Sequence, residues 1–333
     1  MGLTEQQTAR AAGVLLGTAA GDALGAGYEF THPTPETVVD MIGGGPFGFA
    51  PGEWTDDTSM ALAIAEVAAE GVDLRSQRGM DAVAAQFVRW YDSGPKDIGN
   101  QTHAVLSARS TSGSEMTDRA RSISGRKGGN GSLMRTAPVA LGFLEDELGC
   151  IDAAVRVGAL THDDVRAGQA CAMWTYAIRH AVVHGDFDGV RRYLDVAQDD
   201  SAEFWGPLLD EAETGTPADF ANNGWVVHAL QTAWWAIAGA EDSGPQHLPV
   251  ALERAVRAGH DTDTTAAIAG GLLGARWGAS AVPARWRRKL HGWPGLDATD
   301  LVRLAVRAAW GGRDDHPDLE LCEADIRSND KEA

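Results

Sequence analysis

The chain has 333 residues, enough for one large domain or two small ones. Its 47 acidic side chains outnumber 28 basic ones, for a net charge of −19. That balance argues against non-specific binding to nucleic acid, which relies on many lysine and arginine contacts to phosphate. No uncharged apolar run of about 18 residues points to a membrane span.

In chain order the pattern is helical nearly throughout. Thr4 with Gln7 three residues on reads as a capping box, opening an Ala/Gly-rich helix to Gly21. Met60, Ala63, Ile64 and Val67 recur at helical spacing before Gly71, and Met80, Val83, Ala84, Phe87 and Trp90 mark the next helix, closed by Gly94-Pro95. Further helices are expected over 101–110, 132–143, 150–160, 164–184, 188–198, 224–240, 246–258, 263–277 and 297–310. With no strand alternation and no βαβ rhythm, the expected fold is all-α. The Gly/Pro-rich stretches 42–52 and 124–132 are short enough to be loops of one body, so residues 1–312 read as a single domain and 313–333 as a polar, acidic, disordered tail. The N-terminus lacks the basic start and apolar core of a secretion signal. Cys150, Cys171 and Cys322 form no CxxC pair, which fits free thiols in a reducing, cytoplasmic setting.

Chemistry concentrates in two distant acidic clusters. GHDTDTTAAIAGGLLG, residues 259–274, sets Asp261 and Asp263 ahead of a wholly apolar run, and WTDDTSMALAIAE, residues 54–66, does the same with Asp56 and Asp57. A single aspartate before a helix is ordinarily its cap. Here each site supplies two carboxylates and a flanking threonine, where one side chain would suffice. Buried together, these carboxylates repel one another unless cations neutralise them. Four such charges would balance two divalent ions, and oxygen-only ligands select magnesium, manganese or calcium. An EF-hand is excluded: counted from Asp261, its turn glycine would fall on Ala266 and its closing glutamate on Leu272.

Four weaker patches join them. Glu29 follows a Gly-rich turn in GDALGAGYEF, and Asp97 and Asn100 stand in KDIGNQT. KGGNGSLMRTAPVAL, residues 127–141, opens an expected helix with glycines and Ser132, a possible phosphate seat. His162 and Asp163 precede another helix. Taken singly, each has an ordinary reading as cap, loop or surface acid.

In order, GTAAGDALGAGYEF, EWTDDTSMALAIAE, DIGNQT, GNGSLMRTAPVAL, LTHDD and GHDTDTTAAIAGGLLGA resemble the ADP-ribosylglycohydrolase family, which includes the dinitrogenase reductase-activating glycohydrolases. The resemblance spans about residues 11–278. It implies an all-α domain with two Mg2+ or Mn2+ ions in a cleft, held by Thr55, Asp56, Asp57, Asp261, Asp263 and Thr264. It also implies an ADP-ribosylated substrate, most simply a protein, cut at the distal ribose C1'' to release ADP-ribose. Gly129, Asn130, Gly131, Ser132 and Met134 match the diphosphate-holding segment, Asn100 and His162 match positions near the substrate, and Glu29 or Asp97 would handle the proton. Glu29 matches members that cleave serine linkages, Asp97 members that cleave arginine linkages. The intact DIGN segment favours arginine.

Three alternatives stand beside this reading: a hydrolase of serine- or O-linked ADP-ribose, a non-catalytic ADP-ribose-binding protein, and an HD-type metal phosphohydrolase using His162-Asp163 and His260-Asp261. The last needs histidines as direct metal ligands. Residues 31–53 and 200–222 are expected as variable loops that choose the leaving group.

Overall fold

The structure, a computed structural model, describes residues 2–313. Residues 314–333, which include Cys322 and nearly all of the expected tail, lie outside the described residues. Thr4 and Gln7 form the expected reciprocal cap on α1 (Glu5–Gly25). The next helices are α2 (Asp56–Ala68), α3 (Gln77–Asp92), α4 (Asn100–Leu106) and α5 (Gly113–Ser122). After them come α6 (Glu147–Ala159), α7 (Val165–His184), α8 (Gly189–Val196), α9 (Ser201–Thr214), α10 (Val226–Ala238) and α11 (His247–Arg257). The described chain closes with α12 (Thr262–Trp277), α13 (Ala284–Arg287) and α14 (Ala298–Ala309). Among the described residues the sheet is a single two-stranded ribbon, His291–Gly292 against Leu296–Asp297, so the fold is all-α. Among the described residues, no helix is long and apolar enough to cross a membrane.

The packing of α1 against α12 organises the core. Gly13, Gly17, Gly21 and Gly25 recur every fourth residue, which puts them on one face of α1. A Cβ on them would overlap the backbone of Gly274, Gly270, Ala266 and Thr262 respectively. Glycine costs a helix interior about 1 kcal/mol relative to alanine, and here it lets two helix backbones touch. Both helices are buried along most of their length. The contact fixes the end of α1 beside the beginning of α12.

Three expectations need correction, and one helix goes unpredicted. The segment 132–143 is two 3-10 turns, Asn130–Arg135 and Ala137–Phe143, rather than one α-helix. Pro138 has no N–H for an i→i−4 bond, and Thr136 already bonds to Leu133, three residues back. The expected helix over 101–110 ends at Leu106, where Arg109 turns to a φ of 53°. Helix α5 was unread because only Met116 and Ala120 give it an apolar spacing. Within 200–222, read as a loop, α9 runs straight through Gly206-Pro207, held by buried Trp205, Leu209 and Ala212 on one face.

Candidate active site

The site forms where the beginnings of α2 and α12 meet the end of α1. Asp22, near the end of α1, is fully buried and aims its carboxylate at the start of α2. It accepts the Thr55 N–H at 2.9 Å, the Thr58 N–H at 3.0 Å and the Thr58 hydroxyl at 2.6 Å. Thr55, the residue before α2, makes no side-chain cap of its own. Asp22 therefore caps α2 from another helix, and Asp56 and Asp57 are released from that task. Thr55 Oγ1 instead donates to Asp57 at 2.9 Å.

The start of α12 is arranged likewise. Asp261 makes no side-chain cap; its carboxylate accepts the Asn130 amide at 2.7 Å, and its N–H donates to Asn223 at 3.2 Å. Asp263, on the first turn, accepts the Thr264 N–H at 2.9 Å.

One oxygen each from Asp22, Asp57 and Asp263 lie within 4.8 Å of one another, and the same holds for Glu29, Asp97 and Asp263. Asp263 belongs to both groups. Among the described residues none of these carboxylates pairs with a lysine or arginine. Asp57 Oδ1 and Glu29 Oε2 are buried without any hydrogen-bond partner, as oxygens held for a cation would be. The donor set is carboxylate with hydroxyl, suited to hard divalent ions.

The electrostatics follow from burial. Desolvation first, and then neighbouring carboxylates, push Asp56, Asp57 and Asp263 well above the usual carboxylate range. The same causes raise Glu29 to about 8, and burial raises Asp22 to about 6 despite its hydrogen bonds. Asp97 also moves up, chiefly through desolvation.

Above the carboxylates opens a cavity of about 460 Å³. Glu29, Asp56, Asp97, Asp261, Asp263 and Thr264 form its acidic wall. Asn100, Gly129, Asn130, Gly131, Met134 and His162 form another part of the lining. Thr55, Asp57 and Ser132 stand behind the surface, all nearly or fully buried. His162 packs on the glycine loop, where a Cβ at Gly129 or Gly131 would crowd its ring. Burial and Arg135 lower its pKa to about 3, so the ring is neutral. Arg135 donates to Thr161 Oγ1 at 2.6 Å, and Thr161 Oγ1 lies 2.7 Å from His162 Nδ1. Thr161 Oγ1 thus links the buried Arg135 guanidinium to the neutral His162 ring.

The ADP-ribosylglycohydrolase family model matches residues 3–316. The chain belongs to this family. An ADP-ribosylarginine hydrolase of Pseudomonas putida (strain GB-1) is 33% identical over 298 residues, covering 86% of this chain and 75% of that protein. The ADP-ribosyl-[dinitrogen reductase] glycohydrolase of Rhodospirillum rubrum is 27% identical over 292 residues, covering 84% and 90%. A solved ADP-ribosylglycohydrolase-related protein complex superposes with a TM-score of 0.71 at 29% identity, covering 93% of this chain and all of that one. The protein is thus a hydrolase of ADP-ribosyl linkages.

Two residues of this ADP-ribosylglycohydrolase escaped the sequence reading. Asp22 is the lone acid in an otherwise Ala/Gly/Leu-rich stretch of α1, and that isolation was the available signal. Asn223, almost fully buried, takes the Asn130 amide on its carbonyl at 2.9 Å and donates to Gly259 at 3.0 Å. It falls between the segment read as a loop, 200–222, and the helix expected from 224, and no spacing marks it. The Asn130 amide, expected to meet substrate, is occupied in holding Asp261. No histidine enters either carboxylate group. His260 is exposed and packs edge-on to His32 at 4.5 Å, and His162 lines the cavity against the glycine loop, so among the described residues the HD-type alternative has no histidine within either carboxylate group to serve as ligand.

Proposed function

We propose that the protein removes ADP-ribose from arginine side chains of proteins, by hydrolysis at C1'' of the distal ribose, with two Mg2+ or Mn2+ ions in the carboxylate cleft. The carrying observation is the division of labour at α2: Asp22 caps the helix, and buried Asp56 and Asp57 are left with charge to spend. Asp56, Asp57, Asp261 and Asp263 would hold the ions, with Thr55 and Thr264 at hand. Bound there, the ions would hold ribose hydroxyls and a water and stabilise developing charge. Residues 1–312 would act as one domain, since the ligands come from opposite ends of the sequence.

The chain's own groups divide the remaining work. Water adds to C1'', the C1''–N bond breaks, and the leaving guanidine takes a proton. Asp97 and Glu29, together on the cavity wall, are placed to move that proton. The intact DIGN segment and the relatives named as ADP-ribosylarginine hydrolases favour Asp97 and an arginine linkage. The neutral His162 ring, with Nε2 beside Gly129 and Gly131, would meet the diphosphate there.

A panel of arginine-, serine- and O-linked ADP-ribosyl substrates tests this reading with wild type, Glu29→Gln and Asp97→Asn. Asp97→Asn is expected to lower kcat on the arginine linkage by about 10²–10⁴-fold, the usual worth of a positioned acid or base. Loss confined to Glu29→Gln, with serine linkages preferred by wild type, would overturn it.

A further inference from the structure

The cavity carries two aromatic side chains that the reading above leaves without a task. Phe30 directly follows Glu29, and Phe47 comes from the glycine-rich loop after Ile42; both line the cavity with Asp97. Phe30 is 65% exposed. An isolated surface phenylalanine needs no explanation, but this one is held in a costly conformation, with φ at 59°. Bulky side chains rarely adopt that region, and such strain persists only where the surroundings over-determine it.

The surroundings do so here. The Phe30 N–H donates to the His260 carbonyl at 2.6 Å, and Thr31 bridges to His260, whose own φ is 61°. The Thr31 N–H returns to the Tyr28 carbonyl at 2.9 Å. The backbone after Glu29 is thus clamped to the backbone just ahead of Asp261. Phe47 is half-buried and packs edge-on to Phe49 at 6.5 Å between centroids.

We propose that Phe30, flanked by Phe47, is the platform on which the planar cation of the leaving group stacks, so that Phe30 selects a guanidinium over a small neutral leaving group. The assignment rests on the arginine-linked reading given above. A guanidinium is flat, delocalised and weakly hydrated, and it stacks on aromatic faces. It is cationic in the substrate and again after the departing nitrogen takes its proton. Asp97, which lines the same cavity, favours a positive group. A serine oxygen is neither planar nor charged and gains nothing from the platform.

The test compares wild type, Phe30→Gly and Phe30→Trp in KM and kcat on an arginine-linked and a serine-linked ADP-ribosyl peptide, and in Kd for free ADP-ribose. Glycine accepts φ of 59° without strain, so Phe30→Gly removes the ring without opposing the backbone. KM for the arginine-linked peptide is expected to rise about three- to thirty-fold, the range of a cation–π contact. Phe30→Trp should restore KM to within about three-fold, and Kd for ADP-ribose should stay within about two-fold in both variants. A parallel loss of ADP-ribose affinity, or an unchanged KM in Phe30→Gly, would overturn the assignment alone. A wild type that does not cleave the arginine-linked peptide would overturn the linkage reading, and this assignment with it.

Discussion

An aspartate at the start of a helix ordinarily spends its carboxylate on that helix's first N–H groups, and Asp22 removes this need at α2. Replacing it with asparagine leaves one oxygen for three donors and turns an amide toward them. Loss of a buried charge-assisted acceptor costs about 1–3 kcal/mol, which denaturant unfolding of Asp22→Asn would register. The displaced Thr55–Asp57 segment should also bind Mn2+ about 10–100-fold more weakly by calorimetry, as expected when a ligand's support is removed. Unchanged Mn2+ affinity would show that Asp22 does not position the ligand loop. At this scale the sequence was legible where residues came in excess: Asp56 beside Asp57, and Asp261 beside Asp263. It was silent where one residue acted across space, as Asp22 and Asn223 do, because their partners lie tens of residues away.

Helices announce themselves by apolar spacing, and those with a strong stripe were read nearly to the residue. Helix α9 was hidden by Gly206-Pro207, although Trp205, Leu209 and Ala212 still bury one face of it. The 3-10 turns over 130–143 were hidden by the opposite effect, an apolar run that Pro138 prevents from winding as one α-helix. Glycines inside a helix point to close helix–helix packing, and the glycine face of α1 against α12 is such a contact. In Gly270→Ala the new methyl would meet the Gly17 carbonyl. Overpacking of this kind costs about 1–3 kcal/mol, and it should separate Asp22 from Asp263. Unfolding midpoints and Mn2+ affinity should therefore fall together in this variant. A protein as stable and as metal-avid as wild type would contradict the close-contact account.

Across the whole molecule, the net charge of −19 is partly gathered in one cleft. A carboxyl whose pKa is higher folded than unfolded holds its proton more tightly in the native state, so stability falls as pH rises between the two values. Glu29 moves from the ordinary carboxylate range to about 8 and Asp22 to about 6. Their contribution makes the metal-free protein more stable near pH 5 than near pH 8. A divalent ion relieves that penalty, so Mg2+ or Mn2+ should raise Tm more at pH 8 than at pH 5. A larger gain at pH 5 would mean that the ions bind elsewhere.

On the proposed function, these two distant acidic segments together build a metal-dependent site for cutting ADP-ribose from arginine. The most direct measurement is ADP-ribose release from an arginine-linked ADP-ribosyl protein, followed in purified protein as isolated, after chelation, and after Mg2+ or Mn2+ is restored. In wild type, chelation should abolish release and either metal should restore it; in Asp263→Asn, which removes the carboxylate shared by both groups, release should stay absent. Release that persists undiminished in chelator, or that Asp263→Asn retains in full, would contradict it.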